Sequence, residues 1–391
     1  MNAVQMKKRI NLSRVLRSVW LNEGISRIEI ANNLGLDKST ITKLIHELLE
    51  GNIVNIKAEG AAGKLGGRKP VKLMINKNIA FIAGIEVQPD CCNISIINLE
   101  GELTYQETKK INFNSCNLIT NILEIINNIE IKLKSSNHFL LGTGVGLGGI
   151  VNPDKGIIYQ SIPLNITAPL HLSSEISANT DIPVFIENDA NCCCWGEITS
   201  GKSEKLRNFL YLLSEFREGS SSDFDYRGLA VGMGIVINGK VYHGENFSAG
   251  EFKSILWTPS QKSQFSFSDE LMSRSEKDDR VFLDVFNELA TNIALLINVF
   301  NFSRIYLGGA IEEKKNLGID RILMEKINCN WPYGNNVNCT VRFSSTGKNS
   351  VSYGAASLIL QKLFAIPEIP EGTLHNYNYN NDMLMKLREL D

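Results

Sequence analysis

No run of about 18 apolar residues occurs in this 391-residue chain, so composition offers no membrane-spanning helix. Regularly spaced cysteines are missing as well. Of eight cysteines, three are consecutive at Cys192, Cys193 and Cys194, which argues against a disulfide framework and for buried thiols in a reducing compartment. The segment Met1–Ile10 is basic and leads into an amphipathic stretch; it lacks the apolar core of a secretory leader, and the expected placement is cytoplasmic. Nor is there a large excess of one charge, the formal net being −2. With 43% apolar and 21% charged residues, wholesale disorder is excluded. The length suits roughly two or three domains.

The near-zero balance conceals an asymmetry. Residues 1–80 carry 14 Lys/Arg against 6 Asp/Glu, whereas the rest carry 26 against 36. A basic first fifth on an acidic body is the charge pattern of a nucleic-acid module joined to something else. The pattern inside the segment sharpens this. Leu12, Val15, Leu16 and Val19 recur at helical spacing, and Gly24 closes that helix. Ser26 is placed to cap a second helix, about Arg27–Leu34, with Glu29 completing a capping box. That helix is predicted to bury Ile28, Ala31 and Leu34. Gly35 and Leu36 form a tight turn, and Asp37 is the N-cap candidate for a third helix that buries Ile41, Leu44, Ile45, Leu48 and Leu49.

The other face of the third helix opens with Lys38, Ser39, Thr40, Thr42 and Lys43, small polar and basic residues suited to the first turn of a recognition helix in the major groove. An ordinary three-helix bundle with a solvated polar face is the plain alternative. The segment after the third helix favours the DNA reading. Ile53–Ala58 reads as a strand and Val71–Ile75 as its return, and the glycine-rich tip between them carries Lys64, Arg68 and Lys69. Glycines let a backbone approach the sugar-phosphate edge, and an arginine there suits a narrow minor groove. These residues, with Arg27 at the start of the second helix, are the DNA-contact candidates of a winged helix-turn-helix spanning residues 1–78.

From Ile79 onward strands alternate with helices. Ile79–Val87, Asn93–Leu99 and a segment from Leu103 read as strands, followed by a helix, Leu118–Leu133, and a glycine-punctuated strand, Leu140–Val151. A helix near His171–Asn179 precedes the strand Pro183–Ile186. Further strands are expected at Phe209–Ser214, Leu229–Ile237 and Arg304–Leu307, with a long apolar helix over Asp284–Phe300. The alternation, with glycines at strand ends, argues for an α/β body with two related halves.

Four stretches make this body specific: Pro183-Val184-Phe185-Ile186-Glu187-Asn188-Asp189-Ala190-Asn191, Gly232-Met233-Gly234-Ile235-Val236-Ile237-Asn238-Gly239-Lys240, Ala249-Gly250-Glu251 and Tyr306-Leu307-Gly308-Gly309. With the leading module they resemble transcriptional regulators of the ROK family (repressors, open reading frames, kinases). The resemblance implies a two-lobed actin-like, sugar-kinase-type α/β fold, with lobes at 79–190 and 191–365, the second also serving oligomerisation, and a tail at 366–391. In the family's kinases the Asp of the Asn-Asp pair is the base for the sugar hydroxyl and the Asn holds the sugar, so those roles would fall on Asp189 and Asn188. Glu251 matches a sugar-contact glutamate, Gly149 would keep the backbone close to the ligand, Ser254 stands where the family has a histidine, and Glu270 is a further acidic candidate. A polar contact of the family corresponds to Ile162 here.

Two departures shape the expected function. The kinases place an Asp-x-Gly-Gly-Thr loop after the first strand to cradle phosphate; here Glu86-Val87-Gln88-Pro89-Asp90 lacks both glycines and the threonine. Many members also bind zinc through His and Cys after the Ala-Gly-Glu run, but no His or Cys occurs from Phe252 to Phe282. The expectation is therefore a DNA-binding repressor of carbohydrate-use genes, not an enzyme, with no cofactor and no zinc. Its partners would be a palindromic double-stranded operator, a second copy or more (homodimer or homotetramer) and a neutral sugar-type effector, smaller or less polar than glucose, such as the pentose xylose. A sugar kinase or bifunctional kinase-regulator using Asp189 as base is the alternative. The tail, with Pro367 and Pro370, has weak periodicity and fits either packing on a partner or mobility.

Overall fold

A computed structural model describes residues 3–59, 71–202, 204, 206–217, 228–335, 337–367, 383, 384, 386 and 387. The first helix, α1 (Ala3–Leu21), leads through β1 (Ile25–Ser26) into α2 (Arg27–Leu34) and α3 (Lys38–Glu50). Two further strands, β2 (Val54–Glu59) and β3 (Val71–Ile75), complete an antiparallel sheet in the order β1-β3-β2. The Ser26–Glu29 capping box is formed in both directions, and Gly35 takes the left-handed conformation that ends α2. Asp37 stands at the N-cap of α3 but makes no side-chain cap bond.

One expectation fails in α2. Ile28 is 54% exposed, while Ile30 and Ala31 are buried and Leu34 is half-buried. Ile28 lies two residues before Ile30, which at helical pitch puts it on the opposite side from the inward stripe. Leu49 is likewise only half-buried; Ile41, Leu44, Ile45 and Leu48 form the buried face of α3.

The body contains two five-stranded sheets of matching topology. The first half runs β4 (Phe81–Val87), β5 (Cys91–Asn98), β6 (Leu103–Lys110), α4 (Leu118–Ser135), β7 (Leu140–Leu147), β8 (Ile150–Asn152), β9 (Ile157–Gln160), α5 (Leu172–Ser177) and β10 (Val184–Asn188). Its sheet order is β10-β7-β4-β5-β6, with β8 and β9 as a separate hairpin. The second half runs α6 (Asp189–Ser200), β11 (Phe209–Arg217), β12 (Gly228–Ile237), β13 (Lys240–Val241), α7 (Asp269–Arg274), α8 (Asp279–Phe300), β14 (Arg304–Gly309), α9 (Ala310–Glu313), α10 (Ile319–Asn330), β15 (Thr340–Phe343) and α11 (Ser350–Leu363). Its order is β13-β12-β11-β14-β15. In both sheets the central strand pairs antiparallel with the next strand in sequence and parallel with a later one. By length and composition α8 could cross a membrane, but 61% of its apolar window is buried, and its inward residues pack in the core of the second half.

The two halves meet through α6 and α11. Glycine is required where their backbones approach. A Cβ on Gly84 of β4 would run into the Ser352 carbonyl, one on Gly144 of β7 into that of Ala355, and one on Gly354 into that of Cys192. This accounts for the glycine-punctuated strand read in the sequence.

The N-terminal module packs on the body well beyond the residues that connect the two. Leu16, Val19 and Trp20 of α1 share one apolar cluster with Leu360, Leu363 and Phe364 at the end of α11, and with Met383, Leu384 and Leu387 near the C-terminus. Trp20 stacks on Phe364 with ring centroids 4.5 Å apart and planes 9° from parallel. Arg17 Nη1 donates to the Phe364 carbonyl at 3.0 Å. Replacing Trp20 by Ala should therefore lower unfolding free energy by about 3–5 kcal/mol in chemical denaturation, as for other buried large side chains; a loss below about 1 kcal/mol would show that the shared core contributes little.

Candidate functional site

On the N-terminal module, Lys38, Ser39, Thr42 and Lys43 are exposed on one side of α3, and Thr40 and Arg27 are partly exposed. Thr42 Oγ1 donates to the Lys38 carbonyl at 2.8 Å, so its hydroxyl is engaged within the helix. Lys64, Arg68 and Lys69 lie outside the described residues. The base of the expected wing is present as the antiparallel β2–β3 pair.

A cleft of about 780 Å³ opens between the two halves and is lined, among others, by Glu86, Gly149, Ile162, Asn188, Asp189, Glu215, Arg217, Phe247 and Glu251. Asn188 ends β10 and caps α6: its Oδ1 accepts from Asn191 N at 3.2 Å, and its Nδ2 donates to the Gly149 carbonyl at 3.1 Å. Gly149 has φ of 142°, and a Cβ there would meet the Gln160 carbonyl. These contacts fix the cleft floor before any ligand arrives. Glu251 reaches the same space from a loop after β13, where it forms an isolated bridge with Gly232.

The carboxylates crowd one another. Burial, then the charge of Glu215, raises the Asp189 carboxyl to about 6, with the Ala190 N–H and Arg217 pulling the other way. Burial raises Glu86 to about 7, opposed by the hydrogen bond from Asn93 and assisted by the charge of Asp189. Glu251 is also raised by burial, with Arg217 opposing. Such a cleft suits a ligand that offers hydroxyl donors and disfavours anions.

The segment 86–90, expected to lack a phosphate cradle, has a definite structure. Gln88 Nε2 and Asn93 Nδ2 each donate at 2.8 Å to the buried Glu86 carboxylate, and Pro89 supplies no N–H. The side-chain amides of Gln88 and Asn93 are thus committed to an internal carboxylate.

Two effector candidates are corrected. Ser254 is buried outside the cleft lining, its Oγ accepting from Asn292 Nδ2 at 3.2 Å and from Leu256 N at 3.1 Å. Glu270 is exposed on the short helix α7 and does not line the cleft. The cause is the loop between Phe252 and Ser268, which is pinned to α8: Asn292 holds Ser254 and Ile255, and Glu288 accepts from Ser266 N at 3.0 Å. Side-chain and backbone groups thus organise the segment where the family's zinc would sit. Its residues do not fit that metal, and among the described residues no group of three or more His, Cys, Asp and Glu is arranged to hold one. Cys192, Cys193 and Cys194 are all buried beside Phe209, Tyr211 and Val236. Burial pushes their thiols well above the usual range, consistent with packing and not reactivity.

Sequence reading overlooked Glu215 and Arg217, which end an otherwise apolar strand, and His243, whose ring nitrogen lies 2.9 Å from the buried Glu187 carboxylate. Charges closing the buried run Phe209–Leu213 were a usable signal for the first two. No local pattern marked the third.

Residues 82–263 match the family model described as ROK family. The chain is similar to the xylose repressor of Bacillus spizizenii, 25% identical over 391 aligned residues that cover 92% of this chain and 97% of the relative. Among solved structures it resembles a ROK family transcriptional regulator, homologue of the E. coli Mlc protein, with TM-score 0.75 and 20% identity over 98% of this chain and 99% of the other. A ROK family glucokinase from Streptomyces griseus, solved with glucose and AMPPNP, aligns at TM-score 0.52 and 17% identity over 71% of this chain and 99% of the other. These two structural likenesses establish the fold.

The raised carboxyl of Glu86 has a thermodynamic consequence. A carboxyl whose folded pKa exceeds its unfolded value carries no penalty below about pH 4, and its contribution is lost as pH rises through the folded value near 7. Relative to its effect at pH 5, Glu86→Gln should gain about 1–3 kcal/mol of stability at pH 8. Denaturant titrations at the two pH values check this, and a pH-independent difference would contradict it.

Proposed function

We propose, from the premise that the chain carries a ROK family domain behind a helix-turn-helix module, that it is a DNA-binding transcriptional repressor of carbohydrate-utilisation genes. The observation that carries this reading is the single apolar cluster that joins α1 of the module to α11 of the sugar-kinase-type body. A DNA reader and a ligand cleft built on one core can exchange binding free energy; two tethered domains would not need that contact. The Bacillus spizizenii xylose repressor matches across both parts.

The reading assigns residues 1–78 to the winged module, 79–190 and 191–365 to the lobes and 366–391 to the tail. Arg27, Lys38, Ser39, Thr40, Thr42 and Lys43, with the wing residues Lys64, Arg68 and Lys69, contact the operator. Asn188, Asp189, Glu251 and Gly149 hold a neutral sugar in the cleft, and Ile162 and Phe247 favour a compact one such as D-xylose. The chain works in the cytoplasm as a symmetric homodimer or homotetramer on a palindromic operator. It does not phosphorylate its ligand and needs no cofactor. The support is the commitment of Gln88 and Asn93 to Glu86, together with Pro89, where a phosphate cradle needs free N–H donors.

Binding to a labelled duplex from the upstream region of the chain's own gene, followed by anisotropy over a salt series, tests the DNA assignment. Lys43→Ala should weaken binding and reduce the salt slope by about 0.9, the value for one lost phosphate contact. A slope and affinity equal to wild type would remove α3 from the interface. ADP release with a panel of hexoses, pentoses and amino sugars tests the enzyme alternative: turnover abolished by Asp189→Asn would overturn the repressor-only reading.

A further inference from the structure

One buried charge pair, next in sequence to the cleft-lining Asn188, has no part in the proposed sugar and DNA contacts. Glu187, on β10 immediately before Asn188, has a side chain only 1% exposed. Its carboxylate accepts from Asn188 N at 2.9 Å, Asn191 Nδ2 at 3.3 Å and Trp195 Nε1 at 3.3 Å. Asn191 and Trp195 belong to the adjoining helix α6, and the fourth partner comes from the loop after β13: His243 Nε2, 2.9 Å away. Since the other three partners are all N–H donors to the same carboxyl oxygens, Nε2 is assigned as a fourth donor.

His243 stands at the root of a tight loop that returns to β12 through Gly250, whose carbonyl accepts from Met233 N at 3.0 Å. The His243 carbonyl accepts from Ala249 N at 3.1 Å, closing the loop on itself. Gly244, Phe247 and Gly250 all have positive φ, which gives this short segment its sharp bends. Phe247 and Glu251, which line the cleft, belong to this segment, and the Phe247 ring lies 6.1 Å from that of Tyr159 on β9. The root of the loop is thus tied to the first half through Glu187, while its end is tied to the second half through β12.

We infer that His243 is a positioning residue for the effector site: its ion pair with Glu187 fixes the loop 242–251 against β10, and so holds Phe247 and Glu251 opposite Asn188 and Asp189. This inference rests on the effector reading for its functional meaning, but the clasp itself does not. Three charged groups face the imidazole. Glu187 on β10 and Asp154 in the β8–β9 turn favour its protonation, while Lys362 on α11 opposes it. Burial lowers the His243 pKa, but the hydrogen bond and charge of Glu187 outweigh it, and the net shift is upward. A raised histidine contributes fully at low pH and loses its charge-assisted bond as pH rises through its folded value. The neutral ring still donates, so the clasp weakens without vanishing.

The experiment compares wild type with His243→Gln, which keeps a donor but cannot titrate. With D-xylose as probe and calorimetry as readout, wild type should bind about five- to tenfold more tightly than the variant at pH 6, narrowing to about twofold or less at pH 8.5. Taking the ratio of the two proteins cancels the titration of Asp189, Glu86 and Glu251, which both share. A ratio independent of pH, or near one at both values, would overturn the inference. The clasp has a second readout that needs no sugar. The His243 ring resonance, assigned by its loss in His243→Gln, should titrate above the ordinary histidine value in wild type and move down in Glu187→Gln. An unchanged midpoint would overturn the clasp. If wild type binds no D-xylose, the effector reading is contradicted and the resonance alone decides the clasp.

Discussion

Close backbone approach of α11 to β4, β7 and α6 is the constraint on which the rest of the molecule depends. Gly84 and Gly144 let the helix lie directly on the first sheet, and Gly354 lets it lie on α6 at Cys192. Ser95 and Ser352 share a buried hydrogen bond of 2.7 Å across the same contact. Side chains at these glycines would force the backbones apart, and close-packed interiors do not absorb such shifts locally. One end of the contact carries the cleft, because the first turn of α6 presents Asn188 and Asp189. The other end carries the DNA-side module, because α11 ends at Phe364 against Trp20 and Arg17.

This arrangement gives the proposed switch a physical form. A ligand shifts a protein only between states it binds unequally. Here a sugar held by the N-terminus of α6 on one side and by the 242–251 loop on the other would favour one spacing of the two halves. Since α11 packs on both α6 and the first sheet, a change in that spacing is felt where α11 meets α1. The clustering of Asp189, Glu86, Glu215 and Glu251 in the cleft fits the same purpose. Burial first, and then their mutual repulsion, raises Asp189 and Glu86, and hydroxyl donors would satisfy them there.

Much of this was legible in the sequence where the signal was local. The capping box at Ser26 and Glu29, the stripe of α3 and the strands read at 79–87, 183–186 and 209–214, which the structure places at 81–87, 184–188 and 209–217, come from caps, periodicity and short apolar runs. The Asn188-Asp189 pair was singled out by the family resemblance of the run Glu187–Asn191, which leads from a strand into a helix. Failures arose where tertiary partners decide orientation. Ile28 faces outward because Ile30, Ala31 and Leu34 define the buried stripe. Ser254 left the cleft because Asn292, 38 positions later, captures it, and Glu270 did because α7 turns it to solvent. The pairs that organise the molecule are more distant still: Glu187 with His243 is separated by 56 positions, and Arg17 with Phe364 by 347. Nor could the weak periodicity near the C-terminus show that Met383, Leu384 and Leu387 pack on the DNA-side core.

The central claim is that a sugar in the cleft controls the grip of the DNA-side module, and operator release measures it directly. A labelled duplex bound by the full chain is titrated with D-xylose, for wild type and for Asp189→Ala in parallel. The account predicts that the sugar releases wild type from the duplex while Asp189→Ala remains bound at the same concentration. Equal release of both proteins would contradict the site, and an operator complex unmoved by any sugar in a monosaccharide panel would contradict the claim as a whole.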